Sequence, residues 1–274
     1  MSSETHLIFI RHGQQEHADS VDRHPSGLTE RGRSEARAIG SKLEIDITET
    51  KAFSVDNIRS LATVALALNP NIQDEEITDN VLQLKKSQRL FITPKLSYMA
   101  IKDKGFEERL SSSFYRSKAL RFLIDNSDTH VLMDGEKMSS YSFLANEAAR
   151  TLRYFHHKYT LNDKMSPQDQ KDLYRIFCGR EFVYASFRAK LLESIRGVEA
   201  RDDYVTWYGD NIEWSSEARE DVATVKITKS INNDIEFSLK DSYGEMQFGI
   251  TDVEKIIYDY REKFSNKQHE RNTV

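Results

Sequence analysis

Apolar positions along this chain keep two rhythms in alternation. Leu7-Ile8-Phe9-Ile10 is an unbroken apolar run of strand length, as expected for a strand covered on both faces. A polar loop, Gln14 to Gly27, follows. The spacing then becomes helical at Ala36, Ile39 and Leu43, with Thr29 as N-cap and Glu30 in the first turn, at the positive end of the helix dipole. Ala52 to Val55 predicts a second short strand, and Ile58 to Leu68 an apolar helix stopped at Asn69-Pro70. Tyr141, Leu144, Ala148, Leu152, Phe155 and Tyr159 recur at helical spacing and predict a long helix, with Thr160 to Gln170 as a polar linker behind it. Leu173 to Cys178 predicts another strand. Gly179-Arg180 reads as a turn, and Glu181 to Ile195 as a helix with Val183, Phe187, Leu191 and Ile195 on one face.

Toward the C-terminus, Val222 to Lys229 and Ile235 to Lys240 alternate around Asn232-Asn233-Asp234, the pattern of a hairpin. Glu245 to Ile250 predicts a third strand. Thr251-Asp252-Val253-Glu254 has capping-box spacing and opens a helix carrying Ile256, Ile257, Tyr260 and Phe264. Trp207 and Trp214 read as packing residues, with lining of a pocket as the alternative. Residues Asn71 to Met133 keep neither rhythm: Asp74-Glu75-Glu76 reads as a solvated acidic turn, Lys85, Lys86 and Arg89 as a solvated basic face, and only Ser113 to Ile124 has helical character. Apolar strands alternating with helices argue for an α/β sandwich with a mostly parallel central sheet.

Composition narrows the class. With 274 residues, 38% of them hydrophobic and 30% charged, the chain has the make-up of a soluble globular protein with a large core. A net charge of −5 gives no reason to expect nucleic-acid binding. The single cysteine, Cys178, excludes an intramolecular disulfide and a cysteine-cluster metal site. Met1 to Thr5 has no basic n-region, and no apolar run approaches the ~20 residues of a membrane span, so a cytoplasmic protein without membrane contact is expected. Nothing in the composition sets an oligomeric state.

The chemistry concentrates at the end of the first strand, at Arg11-His12-Gly13. A histidine can attack phosphorus, an arginine can hold phosphate oxygens, and a glycine lets the backbone pass close to a bound anion. Arg59 stands at the start of the predicted helix 58–68, where free N–H groups and a guanidinium together suit an anion; the same position also suits an ordinary solvated arginine. No P-loop, no Gly-x-Gly-x-x-Gly, no Gly-x-Ser-x-Gly and no His/Asp/Glu set with metal-ligand spacing occurs, so neither cofactor nor metal is expected.

In these residues the chain resembles the histidine phosphatase superfamily, which includes the phosphoglycerate mutases. The family opens with a strand and Arg-His-Gly, then Leu-Thr at a helix start (here Leu28-Thr29), then an arginine with a threonine four residues on (Arg59 and Thr63). Gly135-Glu136 matches a further Gly-Glu, with Lys137 where the family often has serine. The resemblance implies a three-layer α/β/α sandwich of the phosphoglycerate mutase type, one domain over 1–274. Within it, 71–133 would be a substrate-covering insertion and 222–264 a C-terminal hairpin plus helix. It implies hydrolysis of a phosphomonoester through a phosphohistidine on His12, with Arg11 and Arg59 on the phosphate and Glu108, or next Glu107, as the acid. Gly13 and Gln15 would border the substrate, Gln15 standing where the family usually has threonine or serine. The family's second histidine is absent, since none lies between His157 and His269. Arg180, followed by Glu181, takes its place. The partner implied is a small phosphorylated substrate or a phosphoprotein. A phosphate-binding or protein-binding module without turnover is the alternative.

Overall fold

The computed structural model describes residues 4–16, 23–43, 45–92, 119–125, 132–133, 136–137, 141–161, 172–179, 182–213, 222–229 and 234–271. In chain order the elements are β1 (Glu4–Arg11), α1 (Glu30–Lys42), β2 (Thr50–Ser54), α2 (Ile58–Leu68), α3 (Ile77–Lys86), β3 (Leu90–Ile92), α4 (Ala119–Asp125), β4 (Leu132–Met133), β5 (Glu136–Lys137) and α5 (Tyr141–Leu161). Then come β6 (Leu173–Gly179), α6 (Phe182–Arg196), α7 (Val198–Tyr208), β7 (Val222–Lys229), β8 (Ile235–Asp241), β9 (Gly244–Phe248) and α8 (Ile250–Arg271). They fall into two compact units. One comprises Met1–Ser97, Ser166–Glu181 and Ser215–Met246; the other comprises Tyr98–Met165, Phe182–Trp214 and Gln247–Val274.

A seven-stranded sheet in the order β3-β2-β6-β1-β7-β8-β9 makes this a mixed α/β fold, as the alternating pattern predicts. Its core is parallel: β2 runs parallel to β3 and β6, and β1 parallel to β6. β7 joins β1 antiparallel and β8 joins β7 antiparallel, so the predicted hairpin extends the sheet directly from β1. The two strand patterns follow from coverage. β1 buries Leu7, Ile8, Phe9 and Ile10 in succession, whereas β7 buries every second residue, Ala223, Val225 and Ile227. Ile8, Ile10, Ala52, Ile176 and Cys178 of the parallel strands close a core with Ile39 of α1 and Leu61, Val64, Ala65 and Leu68 of α2. Burial pushes the Cys178 thiol up to about 12, partly offset by a hydrogen bond with Ser60, so it is an inert core residue.

Several expectations move. Residues 74–92 are ordered within the first unit as a single 3-10 turn, α3 and β3. Asp74 is not merely solvated: its carboxylate takes Arg33 Nε at 2.6 Å and Arg37 Nη2 at 2.7 Å. The long helix α5 reaches Leu161, inside the predicted linker. α8 begins at Ile250, two residues earlier than the Thr251 box implies, because the Gly249 N–H donates to Asp252 Oδ2 at 2.8 Å.

The second unit is mainly helical. α5 packs on α6 and α8, and α6 on α7. Gly197, at φ +94°, makes the break between α6 and α7. Trp207 lies in α7 with its ring stacked on Tyr204 at 6.2 Å, a packing role as expected. Arg188 is 2% exposed, donates from Nη1 to the Tyr184 hydroxyl at 3.3 Å and lies over the Tyr204 ring. No described helix is long and apolar enough to cross a membrane.

The Asp74 pair generates a pH prediction. Burial raises this carboxyl, but hydrogen bonds from Arg37 and Arg33 outweigh burial and hold it below the ordinary carboxylate range. A group whose folded pKa is depressed stabilises the fold above its unfolded pKa and loses that contribution as pH falls through the folded value. Asp74→Asn is therefore expected to cost about 1 kcal/mol near pH 7, discounted for solvent exposure. The gap to wild type should close as pH falls below about 4. Urea denaturation at pH 7 and pH 3 checks this; a gap that persists at pH 3 contradicts it.

Candidate active site

Parallel strands end together. Arg11 of β1 pairs with Gly179 of β6, and Ser54 of β2 with Cys178. The carboxyl ends of three strands thus lie along one edge of the sheet, the edge at which open α/β sheets bind ligands. The chain leaves β1 there through His12 to Glu16, and it enters α2 there through Val55 to Asn57. Two sequence landmarks separated by almost fifty residues are brought to one place by strand direction alone.

The loop after β1 is held from below. Gly13 and Gly32 meet backbone to backbone: a Cβ on Gly13 would lie 2.3 Å from the Gly32 carbonyl oxygen, and one on Gly32 would lie 2.2 Å from the Gln14 carbonyl oxygen. α1 starts as predicted, with Thr29 Oγ1 accepting from Gly32 N. The Thr29 hydroxyl also donates to Gln14 Oε1 at 2.9 Å, and Thr29 N donates to Gln14 O at 3.0 Å. Glu35, 2% exposed, accepts Gln14 N–H on Oε2 at 2.9 Å and Arg31 Nε–H on Oε1 at 3.1 Å. A buried carboxylate is kept only with such partners. Glu35 escaped the sequence reading; the signal was a charged residue beside the buried stripe Gly32, Ala36 and Ile39.

Thr63 joins the loop to α2. Its hydroxyl oxygen accepts from Gly13 N at 3.1 Å and its proton goes to Arg59 O at 2.8 Å. Asn57, the N-cap of α2, accepts from Arg59 N at 3.0 Å, and the Arg59 guanidinium donates from Nη1 to Gln15 Oε1. Arg11, His12 and Arg59 are each half-buried, while Gln15 is exposed. His12 Nδ1 lies 3.0 Å from the Gly13 carbonyl oxygen. A carbonyl only accepts, so this bond needs the proton on Nδ1, and in the neutral ring the lone pair is then on Nε2.

Of the sequence-predicted residues, Arg11, His12, Gly13, Gln15 and Arg59 belong to the first unit and are tied to this edge. Glu107, Glu108, Arg180 and Glu181 lie outside the described residues, as does Gly135. Among the described residues a set able to hold a metal is Glu4, His6 and Asp172, with ligand atoms within 4.8 Å of one another. It sits at the opposite end of β1 from His12. Its groups already satisfy one another: Glu4 Oε1 pairs with Lys226 Nζ at 2.5 Å, Glu4 Oε2 with His6 Nε2 at 3.3 Å, and Asp172 Oδ1 accepts from Glu4 N at 3.0 Å.

No protein-family model matches the chain, and no curated protein matches it. Solved structures similar to it are histidine phosphatase superfamily members of low identity. A mycobacterial hydrolase, hydrolase 2, is 12% identical, with 93% of this chain and 97% of that chain covered and a TM-score of 0.46. The mycobacterial glucosyl-3-phosphoglycerate phosphatase in complex with inorganic phosphate is 13% identical, with coverage of 85% and 94% and a TM-score of 0.45. A putative alpha-ribazole-5'-P phosphatase of Escherichia coli is 13% identical, with coverage of 89% and 94% and a TM-score of 0.42. At such values the likeness carries no inference about what this chain acts on.

The junction of Gly13 and Thr63 can be tested directly. Thr63→Val keeps the shape but leaves a buried Gly13 N–H without its acceptor, at an expected cost of about 1–3 kcal/mol, and Thr63→Ser restores most of it. Gly13→Ala forces the loop away from α1, with an expected loss of similar size. Urea denaturation measures both, and a cost under ~0.5 kcal/mol for each contradicts the assigned contacts.

Proposed function

We propose that the chain is a phosphatase of the histidine phosphatase type, hydrolysing a small phosphomonoester through a phosphohistidine on His12. The observation that carries this reading is the Thr63 bridge. It ties the His12 loop to the start of α2, so that a nucleophile and two arginines share the ligand-binding edge of the sheet.

The sequence of events follows from the side chains. His12 Nε2 attacks phosphorus in line, forming the P–N bond as the P–O bond to the leaving group breaks. The proton stays on Nδ1, hydrogen-bonded to the Gly13 carbonyl oxygen, which steadies the ring as it becomes cationic. Arg11 and Arg59 hold the equatorial oxygens, whose charge must be stabilised through the transfer. An acid donates a proton to the leaving oxygen, the role assigned to Glu108 with Glu107 as next choice. Water then attacks phosphorus, its proton returns to the carboxylate, and the P–N bond breaks to release phosphate and neutral His12. Arg180, with Glu181 beside it, is assigned to the phosphate in place of a second histidine; its charge is permanent but it carries no proton at ordinary pH. The arginines supply the positive charge, so the step calls for no metal. Substrate covering is assigned to the part of 71–133 that follows β3.

Brief incubation with labelled phosphomonoesters from a metabolite panel, followed by a quench, tests the mechanism. Wild type should carry acid-labile phosphate, and His12→Ala none. Turnover should drop by about a thousandfold or more in His12→Ala and be unchanged by a chelator. Undiminished turnover in His12→Ala would sink the mechanism. Phosphate binding without turnover by wild type would favour the binding-module alternative.

A further inference from the structure

We propose that Gln15 is the positioning residue that aims Arg59 at the substrate's phosphate, an inference that rests on the phosphatase reading above. Four contacts that hold Arg59 lie within the first unit. Its N–H goes to Asn57 Oδ1 at 3.0 Å and its C=O accepts from Thr63 Oγ1 at 2.8 Å. Its stem runs along Gly27: a Cβ there would lie 3.2 Å from Arg59 Cγ, and Gly27 has φ +66°, which disfavours any side chain. Its head is fixed by Gln15 Oε1.

Gln15 is itself fixed through its backbone. It forms an antiparallel bridge with Leu28. Glu16 N–Gly27 O at 3.2 Å and Thr29 N–Gln14 O at 3.0 Å flank the bridge. One short ladder therefore sets both clamps on Arg59, Gly27 against the stem and Gln15 against the head. The amide can face Arg59 only with its oxygen, because a guanidinium donates and never accepts. A guanidinium has five N–H donors, and the bond to Gln15 uses one of them, on Nη1.

The chemistry of the side chain fits this task. An amide is neutral, so it orients the cation without cancelling its charge. A carboxylate at the same place would neutralise Arg59 and repel the phosphate. Holding the long arginine stem before substrate arrives removes its loss of rotamer freedom from the binding step. Gln15 thus does from outside the phosphate what a residue bonded to the phosphate would do directly.

The probe is inorganic phosphate, titrated calorimetrically into full-length wild type, Gln15→Met and Gln15→Glu, with thermal melting of each. Gln15 is exposed, so all three should melt within about 2 °C of one another. Gln15→Met keeps the length and loses the acceptor; phosphate affinity should fall about tenfold. Gln15→Glu keeps the acceptor and adds charge; affinity should fall further, by about a hundredfold. The order wild type, Met, Glu at constant melting temperature supports the proposal, since a merely structural role would move stability and not this order. Affinities within twofold of wild type, or tighter binding by Gln15→Met, overturn it and leave the phosphatase reading standing. Wild type that binds no phosphate at millimolar concentration overturns both.

Discussion

A single buried hydroxyl holds the site together. Thr63 Oγ1 accepts a hydrogen bond from the Gly13 amide and donates one to the Arg59 carbonyl, so it joins the strand-end loop to the start of α2. The bond matters because each partner would otherwise be an unsatisfied polar group against a dry core: Thr63 is fully buried and its neighbours Ala62 and Val64 are core residues. Backbone contact between Gly13 and Gly32 closes the loop on its other side. Between these two contacts the backbone after His12 is fixed, the kind of pre-organisation that the proposed attack requires.

The electrostatics around that loop are arranged in layers. Nearest the sheet edge are cations, Arg11 and Arg59, with a neutral amide on the latter. Behind the loop is one buried carboxylate, Glu35, bonded to an amide N–H and to Arg31, so its charge is balanced where it is held. At the far end of β1 the acidic groups Glu4 and Asp172 are engaged with His6, Lys226 and a backbone amide. Glu16, within the loop after β1, turns its carboxylate to the His24 N–H at 2.9 and 3.1 Å.

How much was legible depended on continuity of pattern. β1, α2, β6 and the hairpin bury unbroken or strictly alternating apolar residues; α2, β6 and the hairpin were readable within a residue, and β1 begins at Glu4, three residues before its apolar run. α3 and β3 were not, because β3 is only three residues long and buries one of them fully, Leu90. α7 escaped because Gly197 interrupts the helical pattern and Tyr204, Val205 and Tyr208 form only a short buried patch. Asp74 read as a solvated turn because its partners, Arg33 and Arg37, are some forty residues away in sequence. Glu35 had one local signal, a charge beside the buried stripe Gly32, Ala36 and Ile39, but the loop that covers it is formed twenty residues earlier, and its partner there could not be read.

By itself the sequence determined the local grammar: an apolar strand ending on Arg11-His12-Gly13, a helix with Arg59 in its first turn, and the alternation of strands and helices of an α/β protein. Side-chain chemistry and short-range periodicity are written residue by residue, so they can be read there. The tertiary structure decided what those pieces mean together. Parallel pairing of β1 with β6 and of β6 with β2 sends their carboxyl ends to one edge. Only that pairing sets Thr63 under Gly13, Glu35 behind Gln14 and Gln15 against Arg59. Those contacts join residues 21 to 50 positions apart, and no periodicity within a segment encodes them.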